Sequence, residues 1–169
     1  HINIMGIVSI IFVYMLLKDI PQYLLGLIST LNLVAQLILM YPFGYLADKW
    51  GRKPVFLFGF LVSSIVPLLF LNARQVLDFS IAFFVIGISF ASLISGVSPF
   101  LKDIAPEGRE SESLSFLNIT RGIGSVIGPI IIGLLVTLFS YELMFIVISI
   151  ISFIGFIISA FVEETLTER

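Results

Sequence analysis

The chain contains no cysteine and a single histidine, His1. The first absence excludes disulfides, thiolate-bound zinc and thiol catalysis. The second leaves one imidazole at the terminus, where it reads as a fragment boundary rather than a ligand. Charge is also scarce: 12% of residues are Asp, Glu, Lys or Arg, against about 25% in an ordinary soluble domain. There is no basic run of the kind that binds nucleic acid, no nucleotide-binding motif, and no secretory signal with a small-residue cleavage site. No cluster of His, Cys, Asp or Glu lies within an apolar stretch, so a membrane-embedded enzyme, a metal site and a cofactor are not expected. The net charge of −2 carries no information about partners.

What the chain has in abundance is apolar sequence. Hydrophobic residues make up 59% of its 169 residues, and the mean hydropathy is +1.15. A small soluble domain has too much surface for its volume to hide this much apolar area; a bilayer removes the difficulty by making the surroundings apolar. A spanning helix needs about 20 apolar residues, so the length accommodates about six spans with short loops. The apolar runs are continuous, without the alternating segments of about 10 residues that mark a membrane barrel. The expected fold is therefore all-α, a single six-helix transmembrane bundle with spans near 2–17, 23–46, 54–72, 77–101, 113–138 and 141–162.

Lys and Arg set the orientation. Lys49, Arg52, Lys53, Lys102, Arg109 and Arg169 fall in the second loop, the fourth loop and the tail, whereas the opposite side holds Lys18 and Arg74. The positive-inside rule then predicts that these loops and the C-terminus are cytoplasmic.

Polar residues inside the spans are expensive unless they face protein or water. Ser29, Asn32 and Gln36 in the second span have the spacing of one helix face, and so do Asn118, Arg121 and Ser125 in the fifth. Ser89, Ser92, Ser95 and Gly96 lie on one side of the fourth span. Ser29, Asn32, Gln36, Ser89, Ser92, Ser95 and Arg121 are therefore candidates to line a cavity. Small residues on membrane helices also serve close packing, and Gly87, Ala91 and Ser95 form such a series. Arg121 snorkels to the interface, holds an anionic group or pairs with a carboxylate from outside these six spans. The third and sixth spans are almost wholly apolar and read as lipid-facing.

The most informative stretch is Gly44-Tyr45-Leu46-Ala47-Asp48-Lys49-Trp50-Gly51-Arg52-Lys53. Physically, Gly44 would permit close helix approach, Gly51 the positive φ of a tight turn, and Asp48 would seek Arg52. The stretch resembles the signature loop of the major facilitator superfamily, G-x-L-A-D-[RK]-x-G-R-[RK], at every specified position. Lys102-Asp103-Ile104-Ala105-Pro106-Glu107-Gly108-Arg109 is similar to that family's loop between its fourth and fifth helices. Gly124, Gly128, Pro129 and Gly133 are similar to the Gly-Pro fifth-helix motif of that family's drug/proton antiporters, with Ile132 departing from the pattern where a glycine is expected, so the antiporter subtype stays open. Val162-Glu163-Glu164-Thr165 faintly resembles the family's ending after a sixth helix, with Val162 in place of proline.

The resemblance implies half of a twelve-helix fold, with peripheral third and sixth helices and a small-solute site shared with a second six-helix half. It implies a conformational latch formed by Gly44, Asp48, Gly51, Arg52, Lys53, Asp103 and Arg109, and hinge or packing roles for Gly124, Gly128, Pro129 and Gly133. Lack of an initiator Met and the absence of a long linker after the sixth span lead to the expectation of a fragment, the C-terminal half of its parent. The expected function is secondary active transport of a small solute across the plasma membrane by alternating access. The alternative is a non-transporting six-helix scaffold or receptor that dimerises. No Asp or Glu lies near the expected midplane, Asp78 being near the outer end of the fourth span, so substrate and coupling ion stay open.

Overall fold

The computed structural model describes residues 2–163; His1, Arg169 and the Glu164-Thr165 part of the C-terminal resemblance lie outside the described residues. It consists of six helices: α1 (Ile2–Leu17), α2 (Gln22–Trp50), α3 (Arg52–Asn72), α4 (Val76–Asp103), α5 (Glu110–Leu138) and α6 (Tyr141–Ala160). All but α1 are long and apolar enough to cross a membrane.

Helix length explains how the charged segments are placed. At 1.5 Å per residue, the 29 residues of α2 and of α5 reach about 43 Å, beyond the roughly 30 Å of hydrocarbon. The surplus is at one end of the bundle and carries Asp48 and Lys49 of α2, Lys102 and Asp103 of α4, and Glu110 and Glu112 of α5. The residues around Asp48 and Lys102 were expected to lie in loops; they continue their helices instead, because the chain keeps its backbone hydrogen bonds as it leaves the bilayer. By contrast, the 21 residues of α3 and 20 of α6 match the hydrocarbon thickness and little more.

α4 is the central helix. It packs along both α2 and α3; α3 continues onto α6, and α1 lies against α5. Between apolar helices in lipid, close packing rather than the hydrophobic effect supplies the attraction, and small residues allow it. At Gly87 of α4 a Cβ would collide with the backbone oxygen of Asn32 and the Cβ of Ala35 on α2, so this crossing requires glycine. On the α3 side, a Cβ on Gly96 would sit 2.8 Å from Phe56 N.

The α4 serines belong to the same seam. Ser89 donates to the Gly59 carbonyl at 3.0 Å, Ser92 to the Val55 carbonyl and Ser95 to the Met40 carbonyl at 3.3 Å. Ser89 and Ser92 are 1% and 0% exposed. The expectation that Ser89, Ser92 and Ser95 line a cavity is thus corrected: they join α4 to α3 and α2, where neighbouring carbonyls satisfy hydroxyls that lipid could not. The reading of α3 as a lipid-facing helix is corrected in part. It exposes Phe58, Leu61, Ile65 and Leu68 but buries Val55, Phe56, Ser63, Ser64, Val66 and Phe70 between α4 and α6.

The end remote from the charged surplus is closed by aromatic rings. Phe70 is fully buried, edge-on to Phe83 at 5.4 Å and stacked with Phe145 at 6.2 Å. Tyr14 joins this group through Phe145 at 5.1 Å and Tyr141 at 5.0 Å. Offset and edge-to-face ring pairs of this kind add to the dispersion of an ordinary apolar contact. Asp78 is also at this end, and its carboxylate caps α4 by accepting from the backbone N–H groups of Arg74 and Gln75 at 2.9 and 3.1 Å.

Candidate functional site

The α2–α3 connection is one residue, Gly51, with φ 112° and ψ 156°. An L side chain rarely adopts this region, so glycine is what lets α2 reverse directly into α3. The tight reversal puts Asp48 on the last turn of α2 and Arg52 on the first of α3, and their side chains form an ion pair. Arg52 also reaches across to the end of α4, where its Nε lies 3.3 Å from Asp103 Oδ2. The Arg52 and Asp103 side chains are each 17% exposed, whereas Asp48 is 69% exposed. Arg52 therefore bridges a sheltered carboxylate and a solvent-facing one, with the fork geometry that suits guanidinium to two acceptors. Beneath this cluster Phe56 meets Phe100 edge-on at 5.2 Å, which holds the α3 and α4 ends in register. Lys49 extends over the Tyr45 ring at 5.8 Å.

Three of the charged residues expected to act together are thus joined: Asp48, Arg52 and Asp103. Lys53 adjoins them in sequence on the first turn of α3. Arg109 is not part of the cluster. It precedes α5 after the Gly108 turn and pairs at 2.7 Å with Glu112, three residues along its own helix, in an exposed position. At Gly44 an added Cβ would meet nothing within 4 Å, so a close-packing role there is not realised by the contacts of this chain; the buried residues of α2 are Ile28, Ala35 and Ala47.

The expected polar face of α2 is partly present. Gln36 Nε2 donates to Asn32 Oδ1, and both residues are half-buried where α2 crosses α4. Ser29 turns its hydroxyl to the Gly26 carbonyl of its own helix at 2.8 Å. On α5, Gly124 and Gly128 are buried and Pro129 lies within the helix. At Gly133 an added Cβ would meet nothing within 4 Å, so its packing role is not realised by the contacts of this chain.

Sequence reasoning missed one feature. α5 packs mainly on α1 and meets α4 and α6 over a smaller area, and an apolar cleft of about 490 Å³ opens beside those contacts, with Arg121 among its lining residues. The intramembrane arginine was the signal for it; the gap itself depends on helix placement.

A helical bundle with a glycine reversal, an arginine bridging two helix ends and five membrane-length helices defines a class, the polytopic helical membrane proteins. Comparison with known proteins narrows the class. The family model of the Major Facilitator Superfamily matches residues 2–168, and the chain belongs to that family. Over 114 residues it is 28% identical to a bicyclomycin resistance protein homolog of Haemophilus influenzae, covering 68% of this chain and 28% of that protein. It is 32% identical over 110 residues to a class H tetracycline resistance protein of Pasteurella multocida, covering 65% of this chain and 27% of that protein. Among solved structures, that of a peptide transporter POT mutant in complex with sulfate has the same fold, with a TM-score of 0.79 and 18% identity over 94% of this chain and 34% of that one. The chain therefore spans about a quarter to a third of the length of these proteins.

Proposed function

We propose that this six-helix unit is one half of a secondary active transporter that moves a small organic solute across the plasma membrane by alternating access. The charged end and the C-terminus face the cytoplasm, and a second six-helix half completes the solute pathway. The observation that carries the reading is the bridge from Arg52 to both Asp48 and Asp103. A rigid structural bond would be better made from buried apolar groups, since a partly exposed ion pair contributes little stability. What such a cluster offers is exchange: when the cytoplasmic end opens, water can replace the carboxylates around Arg52. Asp48, Arg52 and Asp103, with Gly51 and Lys53, then act as the latch of the inward-closed state. Gly124, Gly128 and Pro129 let α5 rock against α1, and Asn32 and Gln36 offer neutral hydrogen-bonding groups beside the pathway. The drug names borne by two relatives support an organic solute.

The test is transport of tetracycline, as a probe, by the whole protein in sealed proteoliposomes with an imposed proton gradient. Arg52→Ala and Asp48→Asn are expected to reduce the initial rate at least tenfold while inserting into the membrane as well as the wild type. Wild-type rates in both variants would remove the latch. If the native protein has the mass of this chain alone and moves neither tetracycline nor other organic solutes, the dimeric scaffold becomes the better reading.

A further inference from the structure

We infer that the cleft between α4, α5 and α6 holds an anionic phospholipid of the cytoplasmic leaflet, with its phosphate on Arg121. The leaflet assignment rests on the orientation proposed above; the site does not depend on transport.

The cleft is at membrane depth. Leu93 and Val97 of α4 form one wall, Ile132 and Leu135 of α5 another, and Phe60 of α3 with Ile148 of α6 form the floor. It opens sideways, because Ile131 and Ile151 on its rim are 44% and 50% exposed. A laterally open apolar gap in a bilayer does not stay empty, since its lining would forfeit dispersion contacts that a chain of CH₂ groups restores. The nearest supply of such chains is the lipid itself.

One polar feature distinguishes this gap from an ordinary helix groove. Arg121 lines it, and its Nε is buried with no hydrogen-bond partner among the described residues. No salt bridge among the described residues includes it: the carboxylates of Asp48 and Asp103 are taken by Arg52, and that of Glu112 by Arg109. An intramembrane cation without a partner is expensive, so a ligand that brings a negative charge gains the full attraction. Helix geometry aims the side chain. A helical Cα–Cβ bond tilts towards the N-terminus, which for α5 is the charged end of the bundle. In that direction a second cavity shares Leu117 and Thr120 with the first and continues past Phe116 to Ser113. Glu112 also borders this mouth but is neutralised by Arg109 at 2.7 Å. The two cavities together describe an amphiphile: a negative head near Arg121 and the mouth, and an apolar chain along Val97, Leu93 and Ile132. Basic pockets between membrane helices on the cytoplasmic side suit phospholipid headgroups.

The experiment is native mass spectrometry of the whole protein released from vesicles of equal parts phosphatidylglycerol and phosphatidylcholine. The wild type is expected to retain phosphatidylglycerol about fivefold over phosphatidylcholine, the preference one interfacial cation supplies. Arg121→Gln should abolish that preference and Arg121→Lys keep part of it. Val97→Phe, which fills the apolar part and leaves the charge alone, should reduce retention of phosphatidylglycerol and remains informative if Arg121→Gln fails to fold. The site is overturned if the wild type shows no preference, as it would if a carboxylate of a second half occupied Arg121. It is equally overturned if Arg121→Gln or Val97→Phe retains phosphatidylglycerol like the wild type.

Discussion

The two ends of the bundle are closed by different chemistry. At one end Tyr14, Phe70, Phe79, Phe83 and Phe145 form a buried aromatic cluster that joins α1, α3, α4 and α6. At the other, Arg52 ties α2, α3 and α4 together through two carboxylates, one of them largely exposed. Ring packing has no alternative partner in lipid that fits as well, so the aromatic end stays shut within the unit. Charges at the aqueous interface always have water as an alternative, so the ionic end can be exchanged. The same residues could not be swapped between the ends without either stranding charge in hydrocarbon or exposing rings to water.

This contrast can be broken most severely at the aromatic end. Phe70→Ala removes a fully buried ring and is expected to lower stability by about 3 kcal/mol, seen as a large fall in Tm in detergent that added salt does not change. A loss that varies with ionic strength would mean that the aromatic end is not the passive one. The next largest effect belongs to the seam between the ends: Gly87→Ala places a methyl on Asn32 and Ala35, with an expected loss of about 2 kcal/mol from overpacking. Folded yield and Tm measure it, and an unchanged Tm would show that α2 and α4 do not cross so closely.

At the ionic end stability and activity should separate. Asp48→Asn, at the 69% exposed carboxylate, is expected to alter stability by less than about 1 kcal/mol, as for other exposed ion pairs, while slowing transport at least tenfold; parallel Tm and flux measurements test the separation. Ser92→Ala sharpens the comparison from within, because its buried hydroxyl bonds the Val55 carbonyl. An expected loss of about 0.6 kcal/mol, typical of hydrogen bonds between membrane helices, would be read in the same melts. Smallest of all should be Gly133→Ala, where nothing is within 4 Å; a change within about 0.5 kcal/mol is expected. A larger loss in the whole protein would show that this face of α5 is covered by another part of the assembly.

The sequence by itself determined the class of fold, because only a helix satisfies every backbone group locally in hydrocarbon, and runs as apolar as Tyr141–Ala160 admit few other structures. It also determined the turn: the order Asp48, Gly51, Arg52 places an acid and a base one helical turn apart across the only residue that reverses freely. The partners of the other polar residues were decided by tertiary structure. Ser89, Ser92 and Ser95 have the spacing of one face, but whether that face meets a carbonyl or a solute depends on where α3 and α2 lie. Arg109 and Asp103 are close in sequence, yet Arg109 pairs with Glu112 because α5 begins a new direction after Gly108. The opening beside Arg121 exists because α5 packs more closely on α1 than on α4 and α6. Helix formation is a local matter of backbone hydrogen bonds, whereas a cleft is a property of the distance between helices, which no periodicity within one helix encodes.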